Sequence, residues 1–218
     1  MRPGAVFDLD GTLVLGTSAE RLLVPFLWQR GLLGWPQISA ALALAATLPL
    51  RGRTHALRRN KRYLRGLSVD AVANCLPLFM ESVLARRWNQ PLLARAQELR
   101  SQGYALHLVT GAPDFMAAAV AHHLGFDAHA GTRLEQKRGQ YTGGLAGPHI
   151  FAEQKVETAR GMARLHGLDL SRSVGFADHA TDAAFLSCFG QAVAVEPDRG
   201  LRREAQRRGW AVAPCPTP

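Results

Sequence analysis

Short apolar runs alternate with helical patterns along the chain. The runs at residues 5–7, 104–109 and 173–176 each end in small or polar residues, and amphipathic segments with glycine-containing breaks, such as Leu124-Gly125, lie between them. Strands that alternate with helices of about 10–15 residues predict an α/β fold, in which helices cover both faces of a Rossmann-like parallel sheet. Ligands of such sheets bind beyond the carboxyl ends of the strands, so polar residues there are candidate site residues.

The strand pattern is absent between about residues 17 and 88. Helical periodicity instead covers residues 21–30, 36–48, 54–64 and 77–87. Pro77 either starts the last of these helices or kinks a longer helix that begins near Val69. We therefore expect an inserted all-helical cap domain of residues 17–88 on a core of residues 1–16 and 89–218. A small hairpin is predicted near residues 140–144.

Composition narrows the class of protein. With 218 residues, 47% of them hydrophobic and 20% charged, the chain is long enough for one domain with a sizeable insertion, and it is neither a disordered tail nor a disulfide miniprotein. An uncharged run at residues 31–50 is interrupted by glycine and proline, which favours a buried or interfacial helix over a membrane span. Three scattered cysteines and no cleavable signal before the first strand predict a cytoplasmic protein.

The net charge of +9 points to an anionic partner. No acid lies between Arg21 and Val69, but nine basic residues do: Arg21, Arg30, Arg51, Arg53, Arg58, Arg59, Lys61, Arg62 and Arg65. These residues either steer a polyanionic or lipid phosphate to the cap, with the apolar run 38–48 on an anionic membrane surface, or are simply solvated. Nucleic acid is not an expected partner, because aromatic residues are few in this cluster and no DNA-binding motif is visible.

Four aspartates follow two of the predicted strands. Asp8 and Asp10 follow the first strand, where strand alternation directs both side chains to one face. Asp178 and Asp182 follow the strand at residues 173–176, and a helix that began there would place both on one face. Carboxylates that converge at neighbouring strand ends form the hard, oxygen-rich site that Mg²⁺ prefers.

A hydroxyl and an ammonium group complete the candidate chemistry. Thr110-Gly111 ends the second strand, and Pro113 is expected to be the first residue of the next helix. The Thr110 hydroxyl and free backbone N–H groups there are suited to a phosphate oxygen, although a plain turn explains the pattern equally well. Lys155 is placed in the first turn of an amphipathic helix, where it is either a solvated side chain or paired with a nearby anion.

In this order the pieces resemble the haloacid dehalogenase superfamily of phosphatases. Phe7-Asp8-Leu9-Asp10-Gly11-Thr12-Leu13 resembles its first motif, Leu108-Val109-Thr110-Gly111 its second, Lys155 its third, and Asp178 with Asp182 its fourth. The helical insert and the hairpin at Tyr141-Thr142-Gly143 are similar to the phosphoserine-phosphatase-like subfamily IB. The resemblance covers nearly the whole chain.

The resemblance implies a Mg²⁺-dependent phosphomonoester hydrolase that acts on a small phosphorylated metabolite or a lysophospholipid. Asp8 would be the nucleophile that forms an aspartyl-phosphate, and Asp10 would protonate the leaving oxygen and then activate water. The phosphoryl oxygens would be held by Thr110, Gly111 and Lys155. Mg²⁺ would be bound by Asp8, the backbone carbonyl of Asp10, Asp178 and, directly or through water, Asp182.

Two departures from the family pattern leave alternatives open. Ala177-Asp178-His179 replaces the usual Gly-Asp-Ser, so a non-catalytic phosphate-binding protein is one alternative. A phosphotransferase or mutase that uses the same aspartyl-phosphate is another. Phosphoserine phosphatases carry a carboxylate nine residues after the nucleophile, where this chain has Thr17, with Glu20 three residues on. This difference disfavours phosphoserine itself.

Overall fold

A computed structural model describes residues 1–35, 37, 39 and 61–213. The strands are β1 Gly4–Phe7, β2 Ala105–Pro113, β3 Ala128–Thr132, β4 Leu134–Lys137, β5 Gln140–Leu145, β6 Val174–Ala177, β7 Gln191–Val195 and β8 Ala211–Ala213. The α-helices are α1 Ala19–Gln29, α2 Val69–Ser82, α3 Gln90–Ser101, α4 Asp114–Leu124, α5 Glu153–His166, α6 Ala183–Leu186 and α7 Arg199–Arg208. Short 3₁₀ turns lie at Arg62–Leu64, Leu84–Arg86, Leu170–Arg172 and Ala180–Asp182.

Six parallel strands form the central sheet in the order β3-β2-β1-β6-β7-β8. Strand β1 lies between β2 and β6, and Phe7 is in register with Leu108 on one side and Phe176 on the other. Strands β2 and β3 follow on one side of β1, and strands β6, β7 and β8 follow on its other side. Ligand crevices of open α/β sheets form where the strand order changes sides in this way. The predicted Rossmann-like parallel sheet is confirmed.

Side chains of β1 alternate between the two faces of the sheet. Phe7 stacks on Phe176 with ring centroids 4.5 Å apart, in a cluster that also contains apolar residues of α1 to α4. Val6 belongs to a second cluster on the opposite face, formed with α5, α6 and α7. Because β1 is buried on both faces, the position of the residues that follow it is fixed by the core on either side.

Helices dominate the described part of the segment between β1 and α3. Helix α2 begins at Val69 and contains Pro77, so the second of the two predicted alternatives for that proline is correct. The helix ends at Ser82 rather than at residue 87, and a 3₁₀ turn follows. Most of the predicted helices at 36–48 and 54–64 lie outside the described residues; residues 37 and 39 are helical, and residues 62–64 form a 3₁₀ turn.

The chain leaves the sheet and returns to it at one place. The amide of Leu15 donates to the carbonyl of Arg87 at 2.8 Å, and the amide of Asn89 donates to the carbonyl of Leu13 at 2.9 Å. The buried side chain of Asn89 reinforces this crossing by donating to the Thr12 carbonyl at 3.1 Å. The two ends of the helical segment are thereby joined directly beside the turn that follows β1.

A two-stranded hairpin, β4–β5, confirms the predicted hairpin and connects to the helical segment. The amide of Gly66 donates to the Tyr141 carbonyl at 2.8 Å, the Tyr141 amide donates to Leu67 at 3.0 Å, and the Val69 amide donates to Gly139 at 2.9 Å. A Cβ at Gly143 would lie 3.0 Å from Arg62 Cα, so the backbones approach closely there. The hairpin is therefore bonded along its edge to the residues that precede α2.

The basic cluster of the sequence is only partly described. The apolar run 38–48 and the arginines at 51, 53, 58 and 59 lie outside the described residues. Of the remainder of the cluster after residue 60, Arg62 and Arg65 are exposed, but Lys61 is buried, with 1% of its side chain accessible. No helix in the described part of the chain has both the length and the apolar character that crossing a bilayer requires.

Candidate active site

A cavity of about 450 Å³ opens at the carboxyl ends of β1, β2 and β6, where α1 and α5 approach the sheet. The backbone pairing continues to this edge, because the amide of Asp8 donates to the Phe176 carbonyl at 2.9 Å. Every residue predicted from the sequence as a site residue lines the cavity: Asp8, Asp10, Thr110, Gly111, Lys155, Asp178 and Asp182.

Lys155 is the centre of a buried ion triad. From the first turn of α5 its Nζ lies 2.9 Å from Asp8 Oδ1 and 3.0 Å from Asp182 Oδ2, and all three side chains are less than a tenth exposed. Burial opposes the charge on Lys155, but the adjacent Asp182 and Asp8 carboxylates outweigh it and raise the pKa of the ammonium. The interpretation of Lys155 as a solvated side chain is therefore wrong, and the expected neighbouring anion is present.

Asp178 brings a third carboxylate to the same point. One oxygen each of Asp8, Asp178 and Asp182 lie within 4.8 Å of one another. Burial raises the pKa of Asp178 to about 8, with further repulsion from Asp8 and Asp182. Burial likewise raises the pKa of Asp8 to about 6, although the Lys155 ammonium opposes the shift. Such closely placed hard oxygens fit a divalent cation, which would relieve their repulsion.

The two acids after β6 converge by a different route from the predicted one. Asp178 lies in the loop directly after β6, and Asp182 ends the 3₁₀ turn, so no shared helix face places them together. His179 caps this turn by accepting from the Thr181 amide at 3.2 Å, and its Nε2 lies 3.4 Å from Asp198 Oδ2. The departures at residues 177 and 179 thus leave the acids together.

Gly11 makes room for Asp178. A Cβ at Gly11 would lie 2.0 Å from Asp178 Oδ2, and the glycine has φ +82°. Both its conformation and the space beside it therefore require glycine. The neighbouring Thr12 hydroxyl donates to Asp178 Oδ1 at 3.4 Å, so the turn after β1 positions a carboxylate from β6.

Asp10 occupies a separate position in the cavity. Its Oδ1 accepts from the Ala19 amide at 2.7 Å, at the first residue of α1. Burial raises the pKa of Asp10 to about 7; the Ala19 N–H opposes this shift, and the Asp8 charge adds to it. Its carboxylate is not part of the cluster formed by Asp8, Asp178 and Asp182.

The turn at the end of β2 presents Thr110 and Gly111 to the cavity. The Thr110 hydroxyl accepts from the Ala112 amide at 3.1 Å, and the strand continues to Pro113, so α4 begins at Asp114 and Pro113 precedes the helix. A Cβ at Gly111 would lie 3.0 Å from the Ile150 carbonyl oxygen. This close approach holds the turn against the segment that leads into α5.

Two residues of the cavity surroundings carried no signal in the sequence. Buried Thr132 donates to the Gly111 carbonyl at 2.9 Å and accepts from the Ile150 amide at 3.2 Å, which ties the end of β2 to the segment that leads into α5. Glu196 lines the cavity with φ +42°, and its Oε1 is buried without a hydrogen-bond partner in the described structure. Neither belongs to a short motif, so sequence patterns alone do not identify them.

Side chains from the helical segment form the wall of the cavity opposite the sheet. Glu20 of α1 accepts at Oε1 from the Tyr63 hydroxyl at 2.8 Å and is bonded at Oε2 to the Lys61 ammonium. Glu20, Arg21 and Lys61 all line the cavity. The sequence contained Glu20 and Lys61 as separate features, but nothing in it indicated that they pair.

Comparison with known proteins identifies related sequences. Residues 5–187 match the profile of the haloacid dehalogenase-like hydrolase family. A Mycobacterium tuberculosis protein named phosphoserine phosphatase SerB1 is 30% identical over 214 residues, which cover 95% of this chain and 69% of that protein.

Solved structures share the fold. A protein of unknown function from Bordetella pertussis Tohama I superposes with a TM-score of 0.81 at 25% identity, over 99% of both chains. A structure described as a phospho-aspartyl intermediate analogue of phosphoserine phosphatase gives a TM-score of 0.62 at 19% identity, over 93% of this chain and 90% of that one. At that identity the second likeness concerns the fold alone.

Proposed function

Because this chain belongs to the haloacid dehalogenase-like hydrolase family, we propose that it is a Mg²⁺-dependent phosphatase. It hydrolyses the phosphomonoester of a small metabolite or a lysophospholipid through an aspartyl-phosphate. The related protein named phosphoserine phosphatase supports phosphomonoester chemistry.

Asp8 is the proposed nucleophile. One of its carboxylate oxygens forms a bond to phosphorus while the ester P–O bond breaks on the opposite side. The observation that carries the proposal is the 2.9 Å contact between Lys155 Nζ and Asp8 Oδ1 inside the cavity. The ammonium favours the ionised, nucleophilic form of the buried carboxylate, and it lies where it can attract the oxygens of the transferring phosphoryl group.

Asp10 is the proposed general acid and base. Its raised pKa of about 7 keeps a substantial protonated fraction at neutral pH, and that proton passes to the leaving oxygen. The resulting carboxylate then takes a proton from the water that attacks the aspartyl-phosphate. The Ala19 amide, 2.7 Å from Oδ1, orients the carboxyl group for both transfers.

The donor set fits Mg²⁺. Asp8, Asp178 and Asp182 would hold the ion through hard carboxylate oxygens, with the backbone carbonyl of Asp10 as a further ligand. When bound, Mg²⁺ would neutralise charge on the phosphoryl oxygens. Asp182 also pairs with Lys155 at 3.0 Å, so this carboxylate keeps the ammonium in place beside Asp8.

Thr110, Gly111 and Lys155 are the proposed phosphate-holding groups. The Thr110 hydroxyl and the backbone N–H of Gly111 lie at the end of β2, across the cavity edge from the Asp8 strand. Thr132 fixes the turn by donating to the Gly111 carbonyl, so these donors are pre-arranged and need little reorganisation when phosphate enters.

Residues 17–88 are the proposed cap. Glu20, Arg21 and Lys61 of this segment line the same cavity as Asp8 and Lys155, which supports a role in enclosing the substrate. The proposed boundary lies where the chain crosses beside Val14 and Trp88. Water excluded by such a cap would strengthen the electrostatic contacts within the site.

Hydrolysis of p-nitrophenyl phosphate with and without Mg²⁺ tests the function. We expect turnover that is lost on chelation and falls by roughly 10³-fold or more in Asp8→Asn. Asp70→Asn, at an exposed position in the first turn of α2, is the matched control and should retain activity. Acid-quenched wild-type enzyme should carry one phosphoryl group by mass spectrometry. Metal-independent turnover, or equal activity in both variants, would contradict the proposal.

A further inference from the structure

The cavity wall opposite the sheet contains an ion pair between a buried lysine and a partly exposed glutamate, and the proposed catalytic steps do not use it. Lys61 Nζ is bonded to Glu20 Oε2, and the Tyr63 hydroxyl donates to Glu20 Oε1 at 2.8 Å. Only 1% of the Lys61 side chain and 21% of the Glu20 side chain are accessible. Both charged residues line the cavity that contains Asp8 and Lys155.

The Glu20–Lys61 pair has no net charge. Each carboxylate oxygen of Glu20 already accepts from a specific donor, and the Lys61 ammonium has its opposite charge in contact. Burial raises the pKa of Tyr63 well above its ordinary value, so the hydroxyl remains a neutral donor. The free energy required to leave either charge buried without its partner is several kcal/mol, which keeps the pair together.

A charged group of the substrate that binds at Glu20 or Lys61 would have to disrupt the pair. A substrate ammonium would compete with Lys61 for Glu20 and leave the lysine buried without a counter-charge. A substrate carboxylate would compete with Glu20 for Lys61 and leave the glutamate unpaired. Alcohol hydroxyls can instead hydrogen-bond to the accessible edge of Glu20 without separating the two charges.

Arg21 is the other charged residue that the helical segment places at the cavity. It is exposed, so solvent screens its charge, unlike that of the buried pair. The remaining carboxylates that line the cavity follow strands of the sheet: Asp8 and Asp10 follow β1, Asp178 and Asp182 follow β6, and Glu196 follows β7. Among the described cap residues, Glu20 and Lys61 thus form the ion pair that faces a leaving group.

We propose that the Glu20–Lys61 pair, supported by Tyr63, selects phosphomonoesters whose leaving group is an uncharged, hydroxyl-bearing alcohol. Esters that carry an ammonium or a carboxylate near the phosphate are disfavoured. This inference rests on the proposed phosphatase function and specifies its substrate class. It also gives a physical reason for disfavouring phosphoserine, whose leaving group carries both charges.

Kinetics with three substrates tests the selection. We expect wild-type kcat/KM to be highest for glycerol 3-phosphate and at least about tenfold lower for phosphoethanolamine and 3-phosphoglycerate. Lys61→Met leaves the Glu20 carboxylate without its ammonium partner. It should therefore raise the ratio of kcat/KM for phosphoethanolamine to kcat/KM for glycerol 3-phosphate by about tenfold. Glu20→Gln leaves the Lys61 ammonium without its carboxylate partner. It should instead raise the ratio of kcat/KM for 3-phosphoglycerate to kcat/KM for glycerol 3-phosphate. In the double variant both ratios should return towards those of the wild type.

Lys137→Met is the matched control, because it makes the same chemical change as Lys61→Met at an exposed position outside the cavity; its ratios should equal those of the wild type. Wild-type enzyme that hydrolyses either charged ester as well as glycerol 3-phosphate would overturn the selection without any variant. Unchanged ratios in folded Lys61→Met and Glu20→Gln would also overturn it. Absence of p-nitrophenyl phosphate turnover in the wild type would instead overturn the phosphatase function, so the two failures are distinguishable.

Discussion

Lys155 bears on both the stability of the fold and the chemistry proposed for this site. Its ammonium lies about 3 Å from two buried carboxylates, and it is the group that offsets their repulsion. Removing one partner from a buried ionic network leaves uncompensated charge, which is more costly than losing an exposed ion pair. The residue is therefore more sensitive to substitution than its position in the first turn of a helix would indicate.

We expect Lys155→Met to lower the free energy of unfolding by about 3 kcal/mol in metal-free protein, because Asp8 and Asp182 lose their counter-charge. Urea denaturation measures this change. Lys137→Met makes the same chemical change at an exposed hairpin position and should alter stability by less than about 0.5 kcal/mol. Similar losses in the two variants would show that the triad does not stabilise the fold.

Gly11 provides a second residue-scale prediction. Gly11→Ala places a methyl group 2.0 Å from Asp178 Oδ2 and should move that carboxylate, so we expect Mg²⁺ affinity to fall by about tenfold or more. Isothermal titration calorimetry measures the affinity directly.

Gly139→Ala is the control for the left-handed backbone. Gly139 also has a positive φ, +74°, but no atom lies within 4 Å of its Cβ position. Both substitutions should cost about 1 kcal/mol of stability, because an L side chain disfavours this conformation. Equal Mg²⁺ affinities in the two variants would contradict the steric role of Gly11.

Local motifs made much of the site predictable at the residue scale. Asp8, Asp10, Thr110 and Lys155 follow strands or begin a helix in recognisable runs, and the structure brings them to one cavity. Glu20 and Lys61 were not predicted to pair, because 41 residues separate them and their contact depends on tertiary packing. Short-range pattern carries no information on such long-range contacts.

At the scale of elements, helix α5 begins from a strained residue. Ala152 precedes the helix with φ 49° and ψ −119°, a conformation that suits glycine and not a side chain with a Cβ. Lys155 follows three residues later, and its amide donates to the Ala152 carbonyl at 3.0 Å. The strained turn thus sets the direction from which the lysine enters the cavity.

We expect Ala152→Gly to raise the free energy of unfolding by about 1 kcal/mol, since relief of the backbone strain exceeds the added entropy of the unfolded chain. Thermal denaturation measures the gain. Ala94→Gly in the exposed face of α3 is the matched control and should lower stability by about 1 kcal/mol. A loss of similar size in both variants would show that Ala152 is not strained in solution.

Three of the six strands of the central sheet were predicted from apolar runs, whereas β3, β7 and β8 were not. The three predicted strands match β1, β2 and β6 within a few residues, because an apolar run buried on both faces has few alternatives. The prediction that a shared helix face brings Asp178 and Asp182 together was wrong, since a loop and a 3₁₀ turn replace the expected helix. A spacing of four residues is compatible with both arrangements, and only the packing of β6 against α6 distinguishes them.

At the scale of the whole molecule, the buried aspartates of the site lower the stability of the metal-free protein at neutral pH. Burial raises the pKa of Asp8 to about 6, Asp10 to about 7 and Asp178 to about 8, above the value of about 3.9 expected for unfolded aspartate. Between about pH 4 and pH 8 the folded protein therefore binds more protons than the unfolded chain. The stabilisation that these three aspartates contribute is therefore fully present below about pH 4 and is lost as the pH rises to about 8.

We expect the unfolding free energy of metal-free protein to decrease from pH 5 to pH 8. Saturating Mg²⁺ should reduce or reverse this decrease, because the ion binds the ionised carboxylates of the folded state. Chemical denaturation at several pH values, with chelator or with Mg²⁺, measures both trends. A stability that rises over this range in chelator would contradict the raised pKa values.

The hairpin β4–β5 is structurally joined to the proposed cap, although it lies outside residues 17–88 of the sequence. Strands β4 and β5 are encoded more than fifty residues after α2, yet their edge is hydrogen-bonded to Gly66, Leu67 and Val69. A chimaera that replaced only residues 17–88 by the insert of a relative would leave the buried Tyr141 backbone facing foreign partners. We therefore expect an exchangeable unit to be discontinuous and to include residues 134–145 together with residues 17–88.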